Sequence, residues 1–363
     1  MKKSFILTAL MVITTTVFTA CSDNDNDGGY TPPTDSSCYI LNQGNYGDNN
    51  ASLQKYDINS GLASSALCEN DIFTTANSEL LGDCAQDMLW IDGKLFITVS
   101  NSQKLEITDE DGNRIRKHTY TAEGAMPRSI ATDGTKVYVT NYDGYVYVYN
   151  ATTGDSITRV YSGSYPEGII CNEGYIVVNN SNQGGYGGGE ASIAIIDAAT
   201  LTVVKSIKEN VCNPYSESVV CNDELYIIDS GNYGDIASKI YNVNIDSTAL
   251  TEVAQASIMT AYENYLFYTD ASFTYTTMSY NNTPLYKMDV TTGEVTELIP
   301  AEKMRNIYSL DADPATGALY IGYAEYGVLG TMRVFDGISG EQKSLFEVGY
   351  YPVGARFNNQ EKR

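Results

Sequence analysis

The sequence predicts an all-β chain folded as a seven-bladed β-propeller with both of its ends closed in one blade. Three observations carry this. An Asp- or Asn-led turn ends a strand seven times, at Asp57, Asp109, Asn150, Asp197, Asn244, Asp289 and Asp336, at spacings of 52, 41, 47, 47, 45 and 47 residues. A period of that size with several strands per unit belongs to radially repeated sheets. The clearest unit spells four strands: Met126 to Ile130, Lys136 to Asn141, Tyr145 to Asn150 and Ser156 to Val160. The first unit is incomplete, and its missing strand stands at the other end of the chain.

Asp and Asn begin such turns because their side chains accept bonds from the backbone two residues on, and Gly takes the left-handed position. Within the unit, the third strand alternates Tyr with Val, the period-two pattern of a strand. Both residue types are bulky, as expected where blades stack and cover both faces of each sheet. Further copies begin at Tyr165-Pro166-Glu167-Gly168, Asn213-Pro214, Ala256-Ser257-Ile258 and Asn306-Ile307-Tyr308, with a degenerate one near Asp83. The first unit opens directly at Cys38-Tyr39-Ile40-Leu41. Its innermost strand is expected from Tyr351 to Phe357, which would close the ring and remove the open sheet edges. Seven four-stranded blades are therefore expected over residues 38–358, with 359–363 as a tail.

Tyr138-Val139-Thr140-Asn141 matches the signature of the YVTN-type propeller repeat. Weaker copies stand at Ile176-Val177-Val178-Asn179 and around Phe96 to Asn101. The resemblance spans residues 38–358 and speaks to fold, which by itself hosts many chemistries.

Residues 1–20 read as an export signal. Lys2 and Lys3 precede an apolar run from Phe5 to Phe18, too short to span a bilayer. Phe18-Thr19-Ala20-Cys21 resembles a bacterial lipobox, with Phe18 in place of the usual Leu, and predicts lipidation at Cys21. Residues 21–37 are an acidic, Pro-bearing stretch that reads as a flexible tether. Asp23 to Gly28 begins like a calcium loop, but position 12 is Thr34, which cannot supply the bidentate acid, so no cation is expected there. An acidic stretch after a lipidated Cys resembles the signal that exports lipoproteins to the outer surface in some gut Gram-negative bacteria.

The chain holds 22 Lys and Arg against 45 Asp and Glu, a formal net charge of −23, and the predicted signal takes two lysines with it. Nucleic acid, which needs Lys and Arg to displace counterions, is excluded as a partner. So is an anionic membrane surface, leaving the lipid as the only membrane attachment. Of the cysteines beyond Cys21, Cys171 and Cys221 occupy equivalent strand ends and read as small buried side chains. Cys68 and Cys84 are candidates to bridge the first two blades, in an exported compartment that permits disulfides. No Cys-x-x-Cys is present, and the one histidine, His118, reads as a solvated strand residue.

The loops between second and third strands, and those joining one blade to the next, are expected on a single face around the channel. They are long and varied, whereas the turns of the opposite face are short. Insertions gathered on one face mark a binding face. They carry Tyr46, Tyr142, Tyr186, Tyr233, Tyr275, Tyr280 and Tyr326; the inter-blade connections add Tyr165, Tyr215, Tyr308 and Tyr351, with Arg128 and Arg305. Tyr amid Gly, Asn and Ser is the mixture used by adaptable recognition surfaces, although 30 tyrosines in the chain also serve blade packing. A carboxylate- or metal-dependent lactonase or lyase is the enzymatic alternative, resting on Asp48, Asp83, Asp87, Glu190 and Asp235. No nucleophile elbow supports other catalysis.

Leu41-Asn42-Gln43-Gly44-Asn45-Tyr46-Gly47, followed by Ala51 to Asp57, is similar to the first blade of a broad group that includes the surface-exposed vitamin B12-binding lipoproteins of gut Gram-negative bacteria. The resemblance implies a ligand-capturing lipoprotein on the outer face of the outer membrane. Its ligand would be a cobamide, its partner a TonB-dependent transporter, and it would need no cofactor or catalytic residue. Tyr faces suit the macrocycle, Asn and Ser its amides, and Arg128 or Arg305 its phosphate. Of the two, Arg128 is expected nearest the phosphate. A glycan- or siderophore-binding module and a structural or adhesive surface protein remain open alternatives.

Overall fold

The computed structural model describes residues 36–58, 71–182, 188–275 and 279–358, with backbone alone at Ser216, Glu217, Thr274, Ser279 and Tyr280. The predicted signal, Cys21, most of the tether, Cys68, Tyr186 and the 359–363 tail lie outside the described residues.

Seven antiparallel sheets form the seven blades. Their innermost strands are Pro352–Phe357 for blade 1, Ala85–Ile91, Pro127–Thr132, Pro166–Asn172, Pro214–Cys221, Ile258–Tyr262 and Ile307–Ala312. Each innermost strand touches the next, and Pro352–Phe357 touches both Ile307–Ala312 and Ala85–Ile91, so the ring is closed. Closure follows the expected pairing: Cys38 faces Phe357, Ile40 faces Ala355, and Leu41 faces Gly354.

Blades 2 to 7 have four strands each. Blade 1 has three among the described residues, Pro352–Phe357, Ser37–Asn42 and Ser52–Asp57, where four were expected. A short helix, Ile72–Asn77, packs against Ser52–Asp57. Asp71 caps it, accepting from Thr74 N, and Phe73 is buried with Leu53 and Leu95. Asn77 bonds Gly112 O and Arg114 N of blade 2, so the helix rivets blades 1 and 2 together.

The predicted turns form as their chemistry requires. Asn150 Oδ1 accepts from Thr152 N and Thr153 N at 3.0 and 2.8 Å, and Asp336 Oδ1 from Ile338 N and Ser339 N at 3.0 and 2.8 Å. Asp197 and Asp289 do the same. Gly154 takes φ +70°, and a Cβ there would stand 2.7 Å from Ile107 Cδ1. Into this turn reaches His118, whose Nε2–H donates to Gly154 O at 2.8 Å while the ring leans on Tyr149. His118 is thus a half-buried link between blades 2 and 3, rather than the solvated residue its strand position suggests.

The core is divided among seven interfaces between adjacent blades. Alternation in Tyr145–Asn150 explains how one strand serves two of them. Tyr149 joins Phe96, Leu105 and Ile107 of blade 2, while Val146 and Val148 join Ile176, Val178 and Ile196 of blade 4. The repeat motif supplies polar ties as well. Thr140 Oγ1 accepts from Ser129 N at 2.9 Å and donates to Glu167 O of the next blade at 2.7 Å. Thr98 binds Arg128 O at 2.6 Å in the same way. Asn141 Oδ1 accepts from Met126 N at 2.7 Å, fixing the entry to its own blade's innermost strand.

Candidate binding mouth

Six of the seven innermost strands slip register against their neighbour at the end nearest the inter-blade loops; blade 6 keeps regular pairing. A bulge inserts an unpaired residue and re-aims its side chain. The residues so placed include Arg128, Glu167, Tyr215 and Tyr308. Arg128 Nη2 donates to Tyr215 Oη at 3.2 Å, linking blade 3 to blade 5.

Around them the phenols join into a chain. Tyr142 and Tyr165 pack edge to face at 5.5 Å between centroids, Tyr233 and Tyr275 at 6.4 Å, and Tyr308 and Tyr351 lie at 5.4 Å. Tyr233 helps to raise the Tyr215 hydroxyl, and Tyr215 that of Tyr308, as neighbours do. Tyr308 Oη also bonds Gln43 of blade 1. A hairpin pairing Phe273–Thr274 with Ser279–Tyr280 brings Tyr275 over from blade 6, where its N–H donates to Tyr233 O at 3.1 Å. The structure therefore gathers Arg128, Tyr142, Tyr165, Tyr215, Tyr233, Tyr275, Tyr308 and Tyr351 at one mouth. Tyr46 and Tyr326, 83% and 95% exposed, form the open rim of the loops.

Three of these tyrosines hold left-handed backbone: Tyr165 at φ +47°, Tyr233 at +55° and Tyr351 at +54°. Such conformations cost a bulky L-residue on the order of 1–3 kcal/mol and concentrate where a side chain must be aimed.

Sequence reasoning read Glu167 only as part of a repeat start and gave it no role in the site, although it organises one side of the mouth. Glu167, 3% exposed, accepts from Arg128 Nε at 2.8 Å and from the Tyr142 hydroxyl. The Arg128 guanidinium also stacks 4.8 Å from the Tyr142 ring centroid. Burial pushes the Glu167 carboxyl up from its ordinary value, against the pull of Arg128. Burial alone would lower Arg128, but Glu167, Tyr215 and Tyr142 together hold it above its usual range. Glu167 and burial push the Tyr215 hydroxyl up to about 12, and burial also raises Tyr142 and Tyr308. The mouth thus presents neutral phenols around one internally compensated ion pair. A phosphate at Arg128 would compete with Glu167 for the same N–H groups, whereas Arg305 is exposed in the loop entering blade 7.

Of the five acids considered for catalysis, Asp48 donates its backbone N–H to Asn45 O at 3.1 Å, and the other four hold side-chain partners. Asp83 accepts from Gly47 N and Asn101, Glu190 pairs with Lys208 at 2.6 Å, Asp235 takes Asn232, and Asp87 pairs with Arg356 at 2.8 Å. Among the described residues no group of three or more His, Cys, Asp or Glu could hold a metal ion. Cys84, Cys171 and Cys221 are free thiols; burial, with Asp83 beside it, raises Cys84 to about 11. The bridge considered for Cys84 would need Cys68, outside the described residues.

The propeller is the class that this geometry defines. Over residues 36–358 the chain matches a family described as a domain of unknown function, DUF5074. The protein belongs to that family. No curated protein matches it. Among solved structures it is similar to hydrazine synthase of Kuenenia stuttgartiensis, with 18% identity, a TM-score of 0.55, and coverage of 69% of this chain and 76% of that one. It is also similar to U3-55K, at 7% identity and a TM-score of 0.52, covering 73% and 81%. At these identities the likeness concerns the fold alone.

Proposed function

We propose that the protein is a surface lipoprotein that captures a cobamide at the tyrosine-lined mouth and passes it to an outer-membrane transporter. The carrying observation is the chain of phenols contributed by blades 3, 4, 5, 6, 7 and 1. A ligand met by so many blades is broad, and stiff aromatic faces with hydroxyl tips suit a flat macrocycle fringed with amides. Neutral phenols favour amides over strongly charged groups, and Arg305 is the exposed cation for a single phosphodiester. The lipobox-like Cys21 and the resemblance of the first blade support the surface placement.

Isothermal calorimetry with cyanocobalamin, followed by a glycan panel, tests this reading. Saturable heat with cyanocobalamin, lost in a Tyr215→Ala/Tyr308→Ala double variant, is the expected result. No heat and no co-migration of the red ligand at high micromolar protein overturns it; heat with a glycan instead assigns the mouth to a saccharide.

A further inference from the structure

Glu167 joins two parts of the mouth that the chain supplies separately. Its carboxylate takes Tyr142 from the loop between second and third strands of blade 3 and Arg128 from the innermost strand of the same blade. Through Tyr142 it sets Tyr165, packed edge to face against that ring, and through Arg128 it sets Tyr215 of blade 5. The carboxylate is enclosed, and its own backbone is pinned by Thr140. It is therefore a fixed point from which four mouth residues take their positions.

We propose that Glu167 is the positioning residue of the mouth, and that ligand affinity follows the ionisation of its carboxylate. As a carboxylate it accepts both bonds at once. Once protonated it keeps a hydroxyl that must itself donate, it leaves the Arg128 guanidinium without its counter-charge, and Tyr142 and Tyr215 lose their fixed orientation. The charged and titratable groups facing it are Arg128 and Tyr142 from blade 3 and Tyr215 from blade 5, with Tyr233 beyond. Among these groups neither arginine nor raised phenols change charge between about pH 5 and pH 8, and the E167Q variant separates a Glu167 step from any step of the raised acids Asp87 and Asp311. Its burial places the transition above the ordinary carboxylate range. The affinity part of this inference rests on the ligand reading given above; the positioning part does not.

The experiment uses the folded protein labelled with ¹³Cζ-tyrosine, the Tyr142 resonance being assigned with Y142F. Between pH 8 and pH 5 the wild-type Tyr142 signal shifts in one step as its acceptor is protonated. In E167D, which keeps the charge, the step remains; in E167Q it is absent. Cyanocobalamin affinity, measured over the same span, falls roughly tenfold or more through that step, the size expected for losing hydrogen bonds to a charged group, and is flat with pH in E167Q. A Tyr142 signal that does not move in the wild type, or moves alike in E167Q, overturns the proposal, and the wild-type and E167D titrations decide it even if E167Q does not fold. A step in Tyr142 without cyanocobalamin heat at any pH upholds the positioning role and rejects the cobamide reading alone.

Discussion

Arg356, on the strand that closes the ring, holds Asp311 of blade 7 at 2.7 Å and Asp87 of blade 2 at 2.8 Å. Its Nε also donates to Met88 O at 2.8 Å. The two acids return bonds to the backbone: Asp87 accepts from Ile130 N of blade 3 and Asp311 from Ala355 N of blade 1. One guanidinium thus ties the closing strand to both flanking blades.

Removing that guanidinium leaves two buried carboxylates uncompensated. R356A is expected to cost about 3–5 kcal/mol at neutral pH, read from denaturant midpoints. Burial already raises both acids, and without Arg356 they rise further. A buried acid with a raised pKa stabilises the fold below its unfolded value, and that contribution is lost as pH rises. The deficit of R356A should therefore shrink toward the ordinary carboxylate range; a deficit independent of pH would contradict the clamp.

Thr140→Val keeps shape but removes the hydroxyl that serves Ser129 N and Glu167 O. A loss of about 1–3 kcal/mol is expected, because a buried N–H is left without a partner. Thr98→Val should behave alike; because Thr98 binds Arg128 O, next to the Ser129 that Thr140 serves, the two belong to one network and the pair should depart from additivity by about 0.5 kcal/mol or more.

At the mouth, binding energy should concentrate in the rings fixed by side chains of other blades, Tyr215 by Arg128 and Tyr308 by Gln43. Tyr215→Ala and Tyr308→Ala are each expected to weaken ligand binding by about 2 kcal/mol or more. Tyr46→Ala and Tyr326→Ala, on the open rim, should change it by less than about 0.5 kcal/mol. Calorimetry on the four variants tests the ranking, which fails if the rim residues dominate.

Cys21→Ser should release the protein from the membrane fraction of the expressing cell, and protease treatment of whole cells should remove the wild-type protein. Continued membrane association of the variant would reject lipidation at Cys21.

The turns were legible because each is closed by its own residues: Asp336 serves amides two and three positions on. The closing strand was legible because the first unit visibly lacked one. The tyrosine face could be named from loop composition, but not its division into mouth and rim, since exposure at Tyr46 and burial around Tyr215 depend on neighbouring blades. The role of Glu167 escaped notice because its partners lie 39 and 25 residues away and no local pattern marks it. Arg356 and Asp87 are 269 positions apart and meet only when the ring shuts. The helix Ile72–Asn77 was missed because six residues carry too little periodicity to be read.

The meeting of Ser37 with Asn358 settles how the molecule can be held. Ser37 N donates to Asn358 Oδ1 at 2.7 Å and Asn358 N to Ser37 O at 3.1 Å. At the other end of the same two strands Asn42 pairs with Pro352, beside Tyr351. Ser37 and Asn358 accordingly stand at the end of blade 1 away from Tyr351. A label joined beside Ser37 or Asn358 therefore stands away from Tyr351, whereas one attached through the loops around Tyr46 or Tyr326 stands on the side of Tyr351.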